Sequence, residues 1–225
     1  MAAPLAHILL AVQILQTMPD KDEKAFIIGT SFPDIRYLGC ISRDKTHIKN
    51  VTLDDIKKEK SSFKAGMMFH ALVDEVREKY MNEHEIYKIF PRSKLGDAAL
   101  KFNEDLLLFP QLNDLDKYAY YFDSILFEEL EFIKSEYVKT WHKALKKYLL
   151  NFNDIKNRFK FLKRCAKRRF DIVEKSFFNN LKRSALLKVN QILYNKVEKL
   201  IEKVHSSEKI KALVEDFYNS FNRLV

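Results

Sequence analysis

Glycine and proline are scarce in this chain: 4 and 5 residues of 225, with neither found from Asp114 to the end. A chain so poor in turn formers, and rich in Leu, Lys, Glu, Ile and Phe, is expected to be mostly helix. The two cysteines, Cys40 and Cys165, stand far apart and form no CxxC pair. That excludes a disulfide framework and a thiolate zinc site, and it fits a reducing compartment. No apolar run approaches the roughly 18 residues of a membrane span. The opening stretch, Met1 to Gln13, has no basic residue before its apolar part. It is broken by His7 and Gln13, and no small-residue cleavage site follows. A cytoplasmic protein is therefore expected, with export by a route lacking a cleaved signal left open.

Charge is unevenly distributed. Residues 1–150 hold 22 Lys and Arg against 23 Asp and Glu, whereas residues 151–225 hold 18 against 8. The whole net charge of +9 thus comes from the last third. The length suffices for one substantial core. The asymmetry suggests a helical core over 1–150 and a basic helical extension over 151–225, packed on that core or continuous with it.

Punctuation along the chain places the helices. Pro4 suits a helix start, giving a first helix from Leu5 to Thr17. A second is expected over Lys21 to Gly29, with Gly29 as its C-terminal cap. Ser31 to Asp34 reads as a turn, because a residue before proline is pushed out of helical geometry. Arg36 to Asn50 reads as irregular. A long helix is expected from Ser61 to His84, with Phe63, Met67, His70, Asp74 and Arg77 at three- and four-residue spacing. Gly66 inside it costs about 1 kcal/mol relative to alanine, which points to close backbone packing. A further helix is expected over Asp97 to Phe109, then others over 114–130, 131–150, 152–182 and 185–222, the last interrupted at Ser206-Ser207.

The metal-capable residues cluster early. Four of the six histidines lie between His7 and His84. His70 and Asp74, four apart on a helix, share one face and can close on one ion. Imidazole and carboxylate without thiolate form the ligand set of a hydrolytic zinc site or a similar divalent site. Taken singly, each residue has a structural reading: His70 as a core histidine hydrogen-bonded to Asp74, His7 as a helix-face residue, and Asp34 as a turn residue.

In combination these residues resemble a known family. An apolar helix carrying His7, then Gly29-Thr30-Ser31-Phe32-Pro33-Asp34, then Thr46-His47, then Phe63-Lys64-Ala65-Gly66-Met67-Met68-Phe69-His70-Ala71-Leu72-Val73-Asp74 is similar to the bacterial zinc-dependent phospholipase C family. The single-strand-specific zinc nucleases are more distant relatives of that family. The likeness spans residues 1–80 and implies an all-α fold with zinc in a cleft between helices. It implies that His7 binds one metal, that His47 and His70 complete another, and that Asp34 and Asp74 are shared or adjacent carboxylates. Asp34 would also orient or deprotonate the attacking water. Two cations about 3.5–4 Å apart suit in-line phosphoryl displacement. The family's amino-terminal and tryptophan ligands have no counterpart in a chain beginning Met1-Ala2-Ala3-Pro4 with Trp141 alone. Its third metal needs a later HxxxE pattern that Glu78, His84, His142 and His205 do not recreate, so one or two ions are implied. Glu78, one turn beyond Asp74, is either a further ligand or a surface charge. Arg36, Arg43 and Arg77 are either phosphate-binding groups or salt-bridge partners.

Between Ile155 and Phe170 stand eight Lys or Arg and no acid. Ile155, Phe159, Leu162, Ala166 and Phe170 form an apolar stripe beneath them. This face fits anionic lipid headgroups or a solvated helix surface better than nucleic acid, whose bases need exposed aromatic platforms. The expected protein is an all-α, zinc-dependent phosphoesterase acting on a phosphodiester or phosphomonoester, with phospholipid among the candidate substrates. The alternative is a catalytically silent helical interaction or membrane-surface protein on the same scaffold. A phosphohydrolase of the HD type ranks last, because no His-Asp dipeptide occurs.

Overall fold

The computed structural model describes residues 2–90, 93–152, 157, 161, 192, 195, 196 and 198–225. These residues make an all-α protein, with no strand among them. The proposed basic face over 155–170 lies outside them, apart from Asn157 and Phe161. The Phe161 ring packs at 4.6 Å from that of Tyr148 and 5.8 Å from that of Trp141.

The first helix, α1 (Pro4–Leu15), begins on its proline and is apolar nearly all round, with Leu5, Ile8, Leu10, Ala11 and Ile14 buried. A helix without a polar face belongs inside, and α1 runs through the core against α2, α4 and α6. No side chain of its own caps its start. Asp105 of α6 (Lys94–Leu108) does so from another helix, accepting from Leu5 N at 3.2 Å and Ala6 N at 2.9 Å. Tyr148 of α9 (Ser135–Leu150) donates its hydroxyl to the same carboxylate at 2.6 Å.

Helix α2 (Glu23–Ser31) is capped by Asp22, whose carboxylate accepts from Ala25 N at 2.7 Å. A short α3 (Leu53–Lys58) begins with a Thr52/Asp55 capping box. The long α4 (Ser62–Glu83) starts at its Ser61 cap. Between α4 and α9 lie α5 (Ile86–Ile89), α6, α7 (Leu115–Tyr121) and α8 (Phe127–Leu130). The chain bends at Ser206-Ser207, as the sequence suggests, and Ser207 caps a terminal helix, Glu208–Leu224. Its Val214, Phe217, Tyr218 and Phe221 join the core cluster containing α1, α4 and α6 residues.

Three local expectations need correction. Gly29 does not end α2, which continues to Ser31. It lies inside the helix where α2 crosses α4: a Cβ there would clash with the Phe63 carbonyl, lying 2.8 Å from its carbon. Phe32 stays helical (φ −68°, ψ −40°) despite preceding Pro33. The chain runs on into a 3-10 segment, Phe32–Leu38, that ends at Gly39 with φ 76°. Burial of Phe32 against Phe63 and Phe132, with ring centroids at 5.2 and 5.5 Å, offsets the steric preference against this geometry. Residues 114–130 form two short helices rather than one.

Candidate metal centre

The α2–α4 crossing organises the site. A Cβ on Gly66 would overlap the Phe26 carbonyl oxygen and lie 2.8 Å from Thr30 N. Glycine at both crossing positions therefore lets the two backbones touch. One turn along α4 from Gly66, this contact places Nδ1 of His70 2.8 Å from the Thr30 carbonyl oxygen. A carbonyl only accepts, so Nδ1–H donates to it, and Nε2 carries the lone pair. This orientation through a carbonyl is the usual way a metal-binding imidazole is held.

Four elements bring their residues to this nitrogen. From α1, His7 stacks on His70 with centroids 4.0 Å apart and planes 12° from parallel. The 3-10 segment supplies Asp34, which is buried. A turn ending at Thr46 supplies His47, whose ring meets His70 edge-on at 5.0 Å. From α4 itself comes Asp74. The carboxylate Oδ1 of Asp74 accepts from Ala2 N at 2.9 Å and lies 3.4 Å from His7 Nε2. Its Oδ2 lies 3.6 Å from His70 Nε2 and 3.8 Å from His47 Nε2. Ligand atoms on one zinc at about 2.0–2.2 Å are separated by roughly 3–4 Å, so these spacings fit a coordination shell.

Two overlapping groups have ligand atoms within 4.8 Å of one another: His7, His70 and Asp74, and Asp34, His47 and His70. His70 belongs to both, yet its single free nitrogen serves one ion. The arrangement thus suits one ion with up to five ligands, or two with the carboxylates between them. Buried ring nitrogens of His7, His47 and His70, and Oδ1 of Asp34, have no hydrogen-bond partner. Each such atom costs about 1–3 kcal/mol. A cation among them would take up one nitrogen of each ring it ligates and a carboxylate oxygen, so the residues fit a divalent metal with nitrogen and oxygen ligands.

The protonation states agree with this. Burial pushes His70 down to about 3 and His47 down to about 4, so both are neutral at pH 7 with lone pairs available. Burial works to raise Asp74, but the charge of the chain's amino terminus, with the His70 and His7 rings packed against the carboxylate, holds it well below the usual carboxylate range. In a neighbouring turn, Thr46 Oγ1 lies 3.0 Å from His47 Nδ1. When that hydroxyl donates to the Pro33 or Arg43 carbonyl, at 3.4 and 3.2 Å, its oxygen accepts from Nδ1–H and Nε2 faces the pocket.

The structure therefore gathers His7, Asp34, His47, His70 and Asp74. Arg36 and Arg43 lie beside them, Arg36 Nη2 3.5 Å from Asp34 Oδ1 and Arg43 Nη2 3.8 Å from Asp74 Oδ2. For two other candidates the structure favours the structural alternative. Arg77 is buried and forms a two-pronged pair with Glu104 of α6, through Nε at 2.9 Å and through Nη2. Its fork is thereby committed to the core rather than to a phosphate. Glu78 accepts from Tyr87 at 3.1 Å and from Asn82 at 3.2 Å, and it belongs to neither ligand group. His142 is paired with Glu129 at 2.7 Å, and His205 with Asn103 at 3.0 Å, both away from the centre. Asp105, which holds the helix bearing His7, carried no local signal: it is a mid-helix aspartate in Asn103-Glu104-Asp105.

Fold and site together define an all-helical protein with a buried three-histidine, two-aspartate pocket. Among the described residues, no helix is long and apolar enough to cross a membrane. No family model, curated protein or solved structure matches the chain.

Proposed function

We propose that this pocket holds one or two divalent ions, zinc foremost, and that the protein hydrolyses phosphoric esters, as the resemblance to zinc-dependent phospholipase C implies. The observation that carries the reading is the clustering of three imidazoles and two carboxylates in two overlapping groups that share His70, with buried, unpartnered ring nitrogens among them. A bound ion would supply Lewis-acid polarisation of a phosphoryl oxygen and a lowered pKa for water. The chain's residues do the rest. His7, His47 and His70 would each offer a ring nitrogen's lone pair, while Asp74 and Asp34 would offer carboxylate oxygens. Asp34, on a 3-10 turn rather than a long helix, is the residue assigned to orient the attacking water and accept its proton. Arg36 and Arg43 add positive charge on the same side, where phosphoryl oxygens would sit.

Elemental analysis of the purified protein tests the first half, and about one or two equivalents of a divalent metal are expected. His70→Ala and Asp74→Ala should lose the metal together with hydrolysis of p-nitrophenyl phosphate or its diester, while circular dichroism remains helical. His47→Ala, at the pocket's edge, gives the same comparison should a core variant fail to fold. A wild-type protein without metal would overturn the reading. Full metal occupancy without turnover of either ester would leave a catalytically silent scaffold.

A further inference from the structure

Arg43 joins solvent to the buried centre. Its side chain is 51% exposed, yet Nη2 lies 3.8 Å from Oδ2 of Asp74, a side chain only 5% exposed. That same oxygen faces the Nε2 atoms of His70 and His47. The guanidinium therefore sits on the open side of the ligand cluster, within a phosphate's width of any ion held there. Its position is not incidental to a mobile stem. The Arg43–Lys45 turn is closed by His47 N donating to the Arg43 carbonyl at 2.9 Å, so one turn presents both His47 and Arg43. On the opposite carboxylate, Arg36 lies over the Tyr37 ring at 4.3 Å and donates to the Tyr37 hydroxyl at 3.0 Å. Each aspartate of the pocket thus has an arginine beside it.

Charge then selects the ligand. The arginines and the chain's amino terminus stand against the two aspartates, and an imidazole that ligates through its lone pair adds no charge. A divalent ion therefore leaves the loaded pocket net positive, which a dianion offsets further than a monoanion does. Shape selects in the same sense. A terminal phosphate has three free oxygens, enough to meet the metal side and still offer an edge to the planar fork of an arginine. A diester has two, one fewer to share between the metal side and the arginine fork.

The geometry points to a terminal phosphate, the dianion of a phosphomonoester, as the group this pocket takes, with Arg43 as its solvent-side ligand. This rests on the metal reading and narrows its substrate class. The chemistry is shared by soluble phosphomonoesters and by a phosphatidic-acid headgroup.

The test uses the zinc-loaded full chain as wild type, Arg43→Ala and Arg43→Lys. Calorimetric titration with inorganic phosphate should show at least a roughly 10-fold weaker dissociation constant for Arg43→Ala, the scale of one charge-assisted pair. Arg43→Lys should recover part of that loss, and zinc content should stay unchanged across the three. In the wild type, kcat/KM for p-nitrophenyl phosphate should exceed that for bis(p-nitrophenyl) phosphate, and Arg43→Ala should raise KM for the monoester more than it lowers kcat. Phosphate release from phosphatidic acid in phosphatidylcholine vesicles assigns a lipid source, and release from the soluble ester alone assigns a soluble one. Both outcomes uphold the terminal-phosphate assignment. Unchanged phosphate binding in Arg43→Ala, or a preference for the diester, overturns it and leaves the metal reading standing. A wild type that holds no zinc removes both.

Discussion

Replacing Gly66 by alanine tests how the helix crossing builds the site. The new Cβ would lie 2.8 Å from Thr30 N, whereas ordinary contact begins near 3.4 Å. Relief of that contact alone moves α2 from α4 by about 0.6 Å, and the overlap with the Phe26 carbonyl demands more. The His70 Nδ1 to Thr30 oxygen distance, now 2.8 Å, would open to about 3.4 Å, beyond the 2.7–3.2 Å range of such bonds. Overpacking of this kind costs about 1–3 kcal/mol and the lost hydrogen bond about 1 more, while alanine's better helix propensity returns about 1. The net is a loss of about 1–3 kcal/mol. At roughly 2–4 °C per kcal/mol for a chain this long, the melting temperature should fall by about 2–12 °C. Because the lost carbonyl is what aims His70, zinc affinity should drop about 10- to 100-fold, the scale of outer-shell substitutions. Thermal unfolding of the metal-free protein and competition with a chromophoric zinc chelator measure the two effects. A Gly66→Ala protein with wild-type stability and wild-type zinc affinity would refute the account of the crossing.

Three further outcomes follow from the same structure. In the metal-free protein, His47 and His70 have folded pKa values of about 4 and about 3, below the unfolded value of 6.5, so the unfolded chain binds more protons in between. Their contribution to stability is complete above pH 6.5 and is lost as pH falls toward 4 and 3; denaturant midpoints taken across that range should decline, and less steeply in His70→Ala. Asp105→Ala leaves the buried Leu5 and Ala6 N–H groups without an acceptor, at about 1–3 kcal/mol each, and should loosen α1 enough to weaken zinc binding, read by urea unfolding and chelator competition. Arg77→Ala strands Glu104 in the core and should destabilise by about 3–5 kcal/mol in urea, whereas Arg43→Ala, on an exposed turn, should change stability by less than about 0.5 kcal/mol.

Much of the helical framework is local and was legible as such. The apolar run after Pro4 and the three- and four-residue spacing through α4 are properties of neighbouring residues, and they locate α1 and α4 to within two residues. The His70–Asp74 pair was readable for the same reason, since a helix fixes which positions share a face. So was the close packing at Gly66. Gly29 shows where such reading stops. A glycine near a helix end has the same local signal whether it caps the helix or passes another backbone, and only the partner's carbonyl distinguishes the two. Phe32 likewise kept helical geometry before a proline because two aromatic rings far along the chain bury it.

The three arginines mark the boundary most sharply. Arg36, Arg43 and Arg77 all lie near ligand residues in sequence, with nothing local to separate them. Glu104, 27 residues beyond Arg77, takes that guanidinium into the core, while the turn that carries His47 leaves Arg43 half in solvent beside Asp74. Helical periodicity, being local, determined which side chains this chain could offer to a metal. Which of them meet, and which cations remain beside them, was decided by helices crossing at glycine contact, a long-range packing that no stretch of sequence contains alone.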